Sequence, residues 1–276
     1  MSNGILCFAN NNGSINYIKQ AIELAKRAKK YLDLPVSLVT STFSTLDIQY
    51  HDVFDKIIKI QDSKDNQKRY NDGYSLSQSL YFKNNQRHNA FYLSPYDKTL
   101  VLDTDYIICN DIFKNAFVSD HNFQIYRKGV DLCEWRNYHE FDYINDKGIP
   151  FYWATCFYFT KSLENKIFFD LLQHLRTNWK YYSDVYDLGS RNFRNDHLFS
   201  IGIHMMNGFE DGDWAKVLPG KMYYTLDRDI LYKIKDDRLV FLIQKENLVN
   251  EYILSSIKGC NIHVMNKFSL ERATNE

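Results

Sequence analysis

Lys98-Thr99-Leu100-Val101-Leu102-Asp103-Thr104-Asp105-Tyr106 decides the reading of this chain. Leu100 to Leu102 is wholly apolar, the pattern of a short strand buried on both faces of a parallel sheet. Two carboxylates spaced i, i+2 leave its C-terminal end. In an open α/β sheet, ligands sit outside the carboxyl ends of the strands. Paired Asp oxygens there suit a hard divalent cation, Mn²⁺ or Mg²⁺, of the kind that bridges protein to phosphate. A bare Asp-x-Asp also arises as a turn cap beside a solvated acid. Its position directly after a buried strand favours the metal reading.

Working outward, Ile5-Leu6-Cys7-Phe8-Ala9 predicts a second buried strand, stopped by Asn10-Asn11-Asn12-Gly13. Ser14 is the expected N-cap of the helix that follows. Its apolar positions Ile18, Ala21, Ile22, Ala25 and Ala28 recur at steps of three and four, with Lys and Arg between them, and the helix is expected to end near Tyr31. Val36–Thr40 and Phe54–Ile60 predict further strands, and a helical signal runs through Leu76, Leu80 and Tyr81. Strand, helix and strand with short connections make a right-handed parallel unit. Downstream, Phe123–Arg127 and Phe151–Thr160 read as strands, Glu164 to about Tyr182 as the strongest helix, and Asp196–Met206 as another. No linker or repeat divides the chain. The expected fold is α/β: one domain over residues 1–276, with a mostly parallel, mixed central sheet flanked by helices.

Composition narrows the function classes. The chain has 276 residues, 45% hydrophobic and 25% charged, which suits a packed globular protein and not a disordered one. Lys+Arg and Asp+Glu are both 34, so no global field draws it to nucleic acid or anionic lipid, and any polyanion must meet a local patch. Five cysteines in no Cys-x-x-Cys pair give neither zinc spacing nor a disulfide framework. The apolar run from Ile5 is too short for a signal peptide, and no run is long enough to span a bilayer. A cytoplasmic protein without a membrane partner is the expectation. P-loop, dinucleotide-binding and serine-hydrolase signatures are absent from the sequence. Phe8 to Gly13 has one glycine and no Lys or Arg, against the basic Gly-rich loop of a nucleotidyltransferase.

The block from Ser94-Pro95-Tyr96-Asp97 to Asp103-Thr104-Asp105 resembles the strand and Asp-x-Asp segment of GT-A fold glycosyltransferases, in the variant of poorly characterised bacterial and phage members. The resemblance covers most of the chain in element order, and this block is its specific part. It implies a nucleotide-sugar donor, UDP-linked first, bound by residues 1–110. Residues 111–214 would then form the acceptor side, and residues 215–276 an extension completing the metal site. Asp103 and Asp105 would hold the divalent metal on the donor diphosphate. His263, in Cys260-Asn261-Ile262-His263-Val264-Met265-Asn266-Lys267, would be the third ligand, and Lys267 would bind the diphosphate. The usual Gly and Pro-Trp of that motif are missing here. Phe8, Ala9, Asn10 and Thr40, at strand ends, would seat the nucleoside; Tyr17 would stack on the base and Lys83 pair with the diphosphate.

On the acceptor side, Ala154-Thr155-Cys156 replaces the family's Asn-x-Gly. Trp153 and Thr155 are the expected acceptor contacts, with a core role for Trp153 as the alternative. Asp196, opening a helix, is expected to position or deprotonate the acceptor hydroxyl, or else to cap its helix. A glycan or small molecule is the first expectation for the acceptor. DNA is the second, because Arg176, Trp179, Lys180, Tyr181, Tyr182, Tyr186, Arg191, Phe193 and Arg194 interleave cations with rings.

Overall fold

The computed structural model describes residues 1–12, 15–41, 52–61, 68–70, 79–81, 83–132, 141–188, 193–225, 227–245 and 251–274. Ser14, Leu76 and Arg191 lie outside these. The described chain begins with β1 (Asn3–Phe8), α1 (Tyr17–Leu32), β2 (Val36–Thr40) and β3 (Lys56–Lys59). Asn16 caps α1 by accepting from the Lys19 N–H at 3.0 Å. The helix stops at Asp33, whose φ of 53° is left-handed. Its predicted stripe is buried against the sheet. A hairpin of β4 (Lys68–Tyr70) and β5 (Ser79–Tyr81) follows, so the helical signal expected through Leu80 and Tyr81 falls on a strand. Next come α2 (Ala90–Leu93), β6 (Lys98–Leu102), β7 (Tyr106–Ile107), α3 (Lys114–Val118), β8 (Phe123–Tyr126), β9 (Gly129–Asp131) and β10 (Trp153–Thr160).

The central sheet runs β3-β2-β1-β6-β10-β8. Its first four strands are parallel, and β10 is antiparallel to both of its neighbours. This is the mixed, mostly parallel α/β sheet expected from the sequence. Leu100, Val101 and Leu102 are at most 1% exposed, each worth about 1.5–3 kcal/mol of burial. The Ser94-to-Thr99 block anchors β6. Ser94 Oγ lies 2.6 Å from Thr99 Oγ1, Asp97 accepts from the Ser2 N–H at 2.8 Å, and the Tyr96 hydroxyl donates to Asp55 at 3.0 Å.

The long helix expected to Tyr182 breaks in two, α4 (Leu163–Thr177) and α5 (Trp179–Val185), at Asn178. The backbone leaves helical geometry there, at φ −103° and ψ 28°, and the Asn178 N–H and side chain both donate to the His174 carbonyl, at 3.1 and 2.9 Å. α6 (Asn195–Met206) packs against α4, where Gly202 leaves room for Leu172 and Phe168. The remaining elements are β11 (Met222–Thr225), β12 (Leu231–Lys235), β13 (Arg238–Gln244), β14 (Tyr252–Lys258), β15 (Ile262–Val264) and α7 (Lys267–Thr274). They build a second sheet, β7-β15-β11-β9, and an antiparallel sheet β12-β13-β14. A smaller apolar cluster, including Leu231, Leu239, Phe241, Ile262 and Leu270, joins these sheets to α7.

Candidate active site

Three short backbone contacts turn the end of β6 into a site. The Asp103 N–H donates to the Thr155 carbonyl at 2.9 Å, and the Tyr106 N–H donates to the Asp103 carbonyl at 3.1 Å. The chain therefore turns sharply and re-enters a strand at Tyr106. The Val264 N–H donates to the Asp105 carbonyl at 3.0 Å, and β15 pairs antiparallel with β7, His263 opposite Tyr106. This register sets His263, distant in sequence, beside the carboxylate pair. Its Nε2 lies 3.1 Å from Asp105 Oδ2, and one ligand atom from each of Asp103, Asp105 and His263 falls within 4.8 Å of the others. Lys267, the first residue of α7, brings Nζ to 2.5 Å from Asp105 Oδ2 and donates to the Met265 carbonyl at 2.8 Å.

The electrostatics divide the two acids. Burial opposes ionisation of Asp105, but His263 and Lys267 outweigh it and hold the carboxyl well below the usual carboxylate range. Burial pushes Asp103 up to about 6, against the Arg87 guanidinium that contacts its Oδ1 and with the Asp105 charge adding to the rise. Two adjacent carboxylates, Asp105 buried and Asp103 partly buried, one resisting its charge, form a donor set that a divalent cation would complete. Two carboxylates and an imidazole nitrogen suit Mn²⁺ or Mg²⁺, so the residues fit the metal implied by the resemblance. His263 Nδ1 has no partner among the described residues, so the second hydrogen bond that orients most ligating histidines is not made.

Arg87 was not singled out in the sequence, where it is a lone cation in an Asn-rich stretch. It sits in a 3-10 turn, Arg87–Asn89, that leads into α2. The preceding residues strap the sheet edge together. Asn84 Oδ1 accepts from the Asn10 N–H at 2.9 Å, the Lys83 carbonyl accepts from Asn10 Nδ2 at 3.3 Å, and the Asn84 carbonyl accepts from Asn195 Nδ2 at 3.3 Å.

The other expected residues are spread along this edge. Phe8 ends β1, which pairs with β6, Ala9 follows it, and both are buried. Asn10 is 2% exposed, and its Oδ1 accepts from the Ser41 N–H at 2.6 Å, so its side chain fastens loops together. Thr40 is fully buried at the end of β2, Tyr17 is half-buried at the start of α1 against the main core, and the Lys83 side chain is half-buried. The Thr155 carbonyl accepts from the Asp103 N–H, and Thr155 Oγ1 is buried with no hydrogen-bond partner among the described residues. Trp153 is 1% exposed and packs within 5.2 Å, centroid to centroid, of Phe141, Phe151 and Tyr224. A ring enclosed in that way offers no face to an acceptor, which corrects the expected sugar contact in favour of its core alternative. Asp196, in the first turn of α6, is 8% exposed. Its Oδ1 accepts from the Ala154 N–H at 2.9 Å, and its Oδ2 lies 3.4 Å from Arg194 Nη2.

Of the cations and rings read as a DNA surface, Arg176, Trp179 and Phe193 contact one another, and Tyr182 contacts His174. The Arg176 guanidinium lies 4.1 Å from the Phe193 ring centroid, Trp179 meets the same ring edge-on, and the Tyr182 hydroxyl lies 3.1 Å from His174 Nε2.

No protein-family model and no curated protein matches the chain. Among the solved structures that it resembles are two glycosyltransferases. GlyE of Streptococcus pneumoniae TIGR4 aligns at 13% identity and a TM-score of 0.43, and its apo form at 15% and 0.42. Each alignment covers 79% of this chain and 45% of GlyE, so the chain spans less than half of that protein's length. The galactosyltransferase LgtC, solved with donor and acceptor sugar analogues, aligns at 13% identity and a TM-score of 0.45, over 72% of this chain and 70% of LgtC.

Proposed function

We propose that this protein is a metal-dependent glycosyltransferase that moves a sugar from a nucleotide-sugar donor, with a UDP-sugar as first choice, to a hydroxyl of a glycan or small-molecule acceptor. One observation carries the reading. Asp103, Asp105 and His263 converge at the C-terminal edge of the central sheet, with Lys267 against the same carboxylate. We read the whole chain as one GT-A-like domain.

Asp103, Asp105 and His263 would hold the cation, which when bound would supply positive charge against the departing nucleoside diphosphate. Arg87 keeps the Asp103 carboxylate oriented. Lys267 exchanges Asp105 for diphosphate oxygens as the donor enters, a swap between two anionic partners. Asp196 positions the acceptor side, because both of its oxygens already have protein partners.

The test is a donor screen: nucleotide release from UDP-, GDP- and CMP-sugars with Mn²⁺ and with a chelator. Metal-dependent release from one donor class is expected. The absence of release from all three, or release that ignores the chelator, overturns the proposal.

A further inference from the structure

The sheet β12-β13-β14 turns one face into the smaller core, through Leu231, Ile234, Leu239, Phe241 and Ile257, and leaves the other in solvent. The register orders that outer face. Lys235 pairs with Arg238, and Arg238 pairs with Lys258, so three cations lie side by side across three strands. Directly opposed like charges destabilise a sheet. Compensation within the described residues is slight. Lys258 lies 3.9 Å from Asp237, and Arg238 donates to the Ser256 hydroxyl at 3.3 Å. Further along the same face, Leu242 opposes Leu254, which is 65% exposed, and Tyr252, 56% exposed, stands at the end of β14.

We propose that this face docks on an anionic lipid bilayer, the cation row meeting headgroup phosphates while Leu242, Leu254 and Tyr252 enter the interfacial region. The pairing of charge with aliphatic side chains selects this partner. A nucleic-acid strand would match the cations but gain little from leucines, which cannot stack on bases. A second copy of the chain would bring cation row against cation row if the faces met. Basic residues near an anionic surface and apolar side chains at its boundary add their contributions. No helix among the described residues is long and apolar enough to cross a membrane, and this docking needs none.

The experiment is flotation of the full chain with vesicles of phosphatidylcholine, alone and mixed with phosphatidylglycerol. The protein is expected to float with the mixed vesicles only and to be released by salt. Lys235→Gln/Arg238→Gln/Lys258→Gln should weaken partition by roughly 100-fold, at about fivefold per cation. Leu254→Ser should weaken it by about tenfold. Four results overturn the proposal: no flotation with mixed vesicles; flotation indifferent to salt or to phosphatidylglycerol; a single-stranded oligonucleotide bound through the three cations while vesicles are not; or a dimer, abolished by Leu254→Ser, that excludes vesicles. The wild-type lipid and salt dependence tests the proposal without any variant. All substituted side chains are exposed or half-exposed, so thermal melts should coincide.

Discussion

Asp105→Asn removes one charge while keeping the shape of the side chain. In the folded protein that charge lies 3.1 Å from His263 Nε2 and 2.5 Å from Lys267 Nζ, with 4% of the side chain exposed. Removing one partner of a buried pair costs about 3–5 kcal/mol, because the survivor keeps an uncompensated charge. Lys267 is 16% exposed and can turn partly to water, so the lower end, about 3 kcal/mol, is expected. At about 2–4 °C per kcal/mol for a chain of this size, the metal-free melting temperature should fall by roughly 6–12 °C. Adding Lys267→Met should recover most of the loss, since neither charge then remains. The metal effect is separate. Saturating wild type at roughly 100 times its dissociation constant for Mn²⁺ adds about 2.7 kcal/mol. Asp105→Asn, and likewise Asp103→Asn, should lose that increment. Thermal melts with Mn²⁺ and with chelator read both quantities. An unchanged Mn²⁺ shift in Asp105→Asn refutes the metal assignment, and an unchanged metal-free melt refutes the buried ion pair.

Gly4→Ala should destabilise by about 1–3 kcal/mol, because a Cβ there meets the Tyr96 ring at 2.4 Å, and that ring is pinned by Ser37 and Asp55. A melt matching wild type would mean that the ring yields freely. His88, half-buried, is lowered from 6.5 to about 4 by desolvation and then by Arg176, so it is neutral when folded while the unfolded chain takes up a proton below 6.5. Its stabilisation is complete above that pH and fades as pH falls towards 4, by at most about 3 kcal/mol, and His88→Gln should flatten this limb of a pH-dependent denaturation series. An identical limb in the variant counts against the assignment. Asp196→Asn should leave donor affinity unchanged and lower transfer by roughly 10²–10⁴. Slow donor hydrolysis by water should survive if Asp196 only positions the acceptor; hydrolysis that falls in parallel with transfer would restore it as a base.

The central sheet was legible because its strands are apolar runs with turn residues at both ends. Ile5 to Phe8, Val36 to Thr40 and Leu100 to Leu102 are buried almost completely, and burial on both faces leaves the sequence no choice of residue type. The stripe of α1 was legible for the same reason. The small sheets were not. β7 and β9 are two and three residues long, and β14 is exposed along most of its length, so neither carries a periodic apolar signal. The break at Asn178 was hidden because apolar residues continue past it. The backbone leaves helical geometry at Asn178 although the hydrophobic spacing continues.

The site divides along the same physical line. Asp103 and Asp105 could be read locally, since their meaning lies in the strand immediately before them. His263 could not be placed by its own surroundings, because Ile262 and Val264 are core residues, and it faces Asp105 only through the register of β15 on β7. Arg87 and Asn84 carried still less signal. Their importance arises from contacts that cross between loops: Asn84 to Asn10 and Asn195, Arg87 to Asp103. The loop that ties the end of β1 to the start of α6 is therefore the loop that steers a candidate metal ligand. A disturbance at Asn10, Asn84 or Asn195 would reach Asp103 through Arg87 without touching a ligand. The residues proposed for donor binding and the residue proposed for acceptor positioning would share this strap.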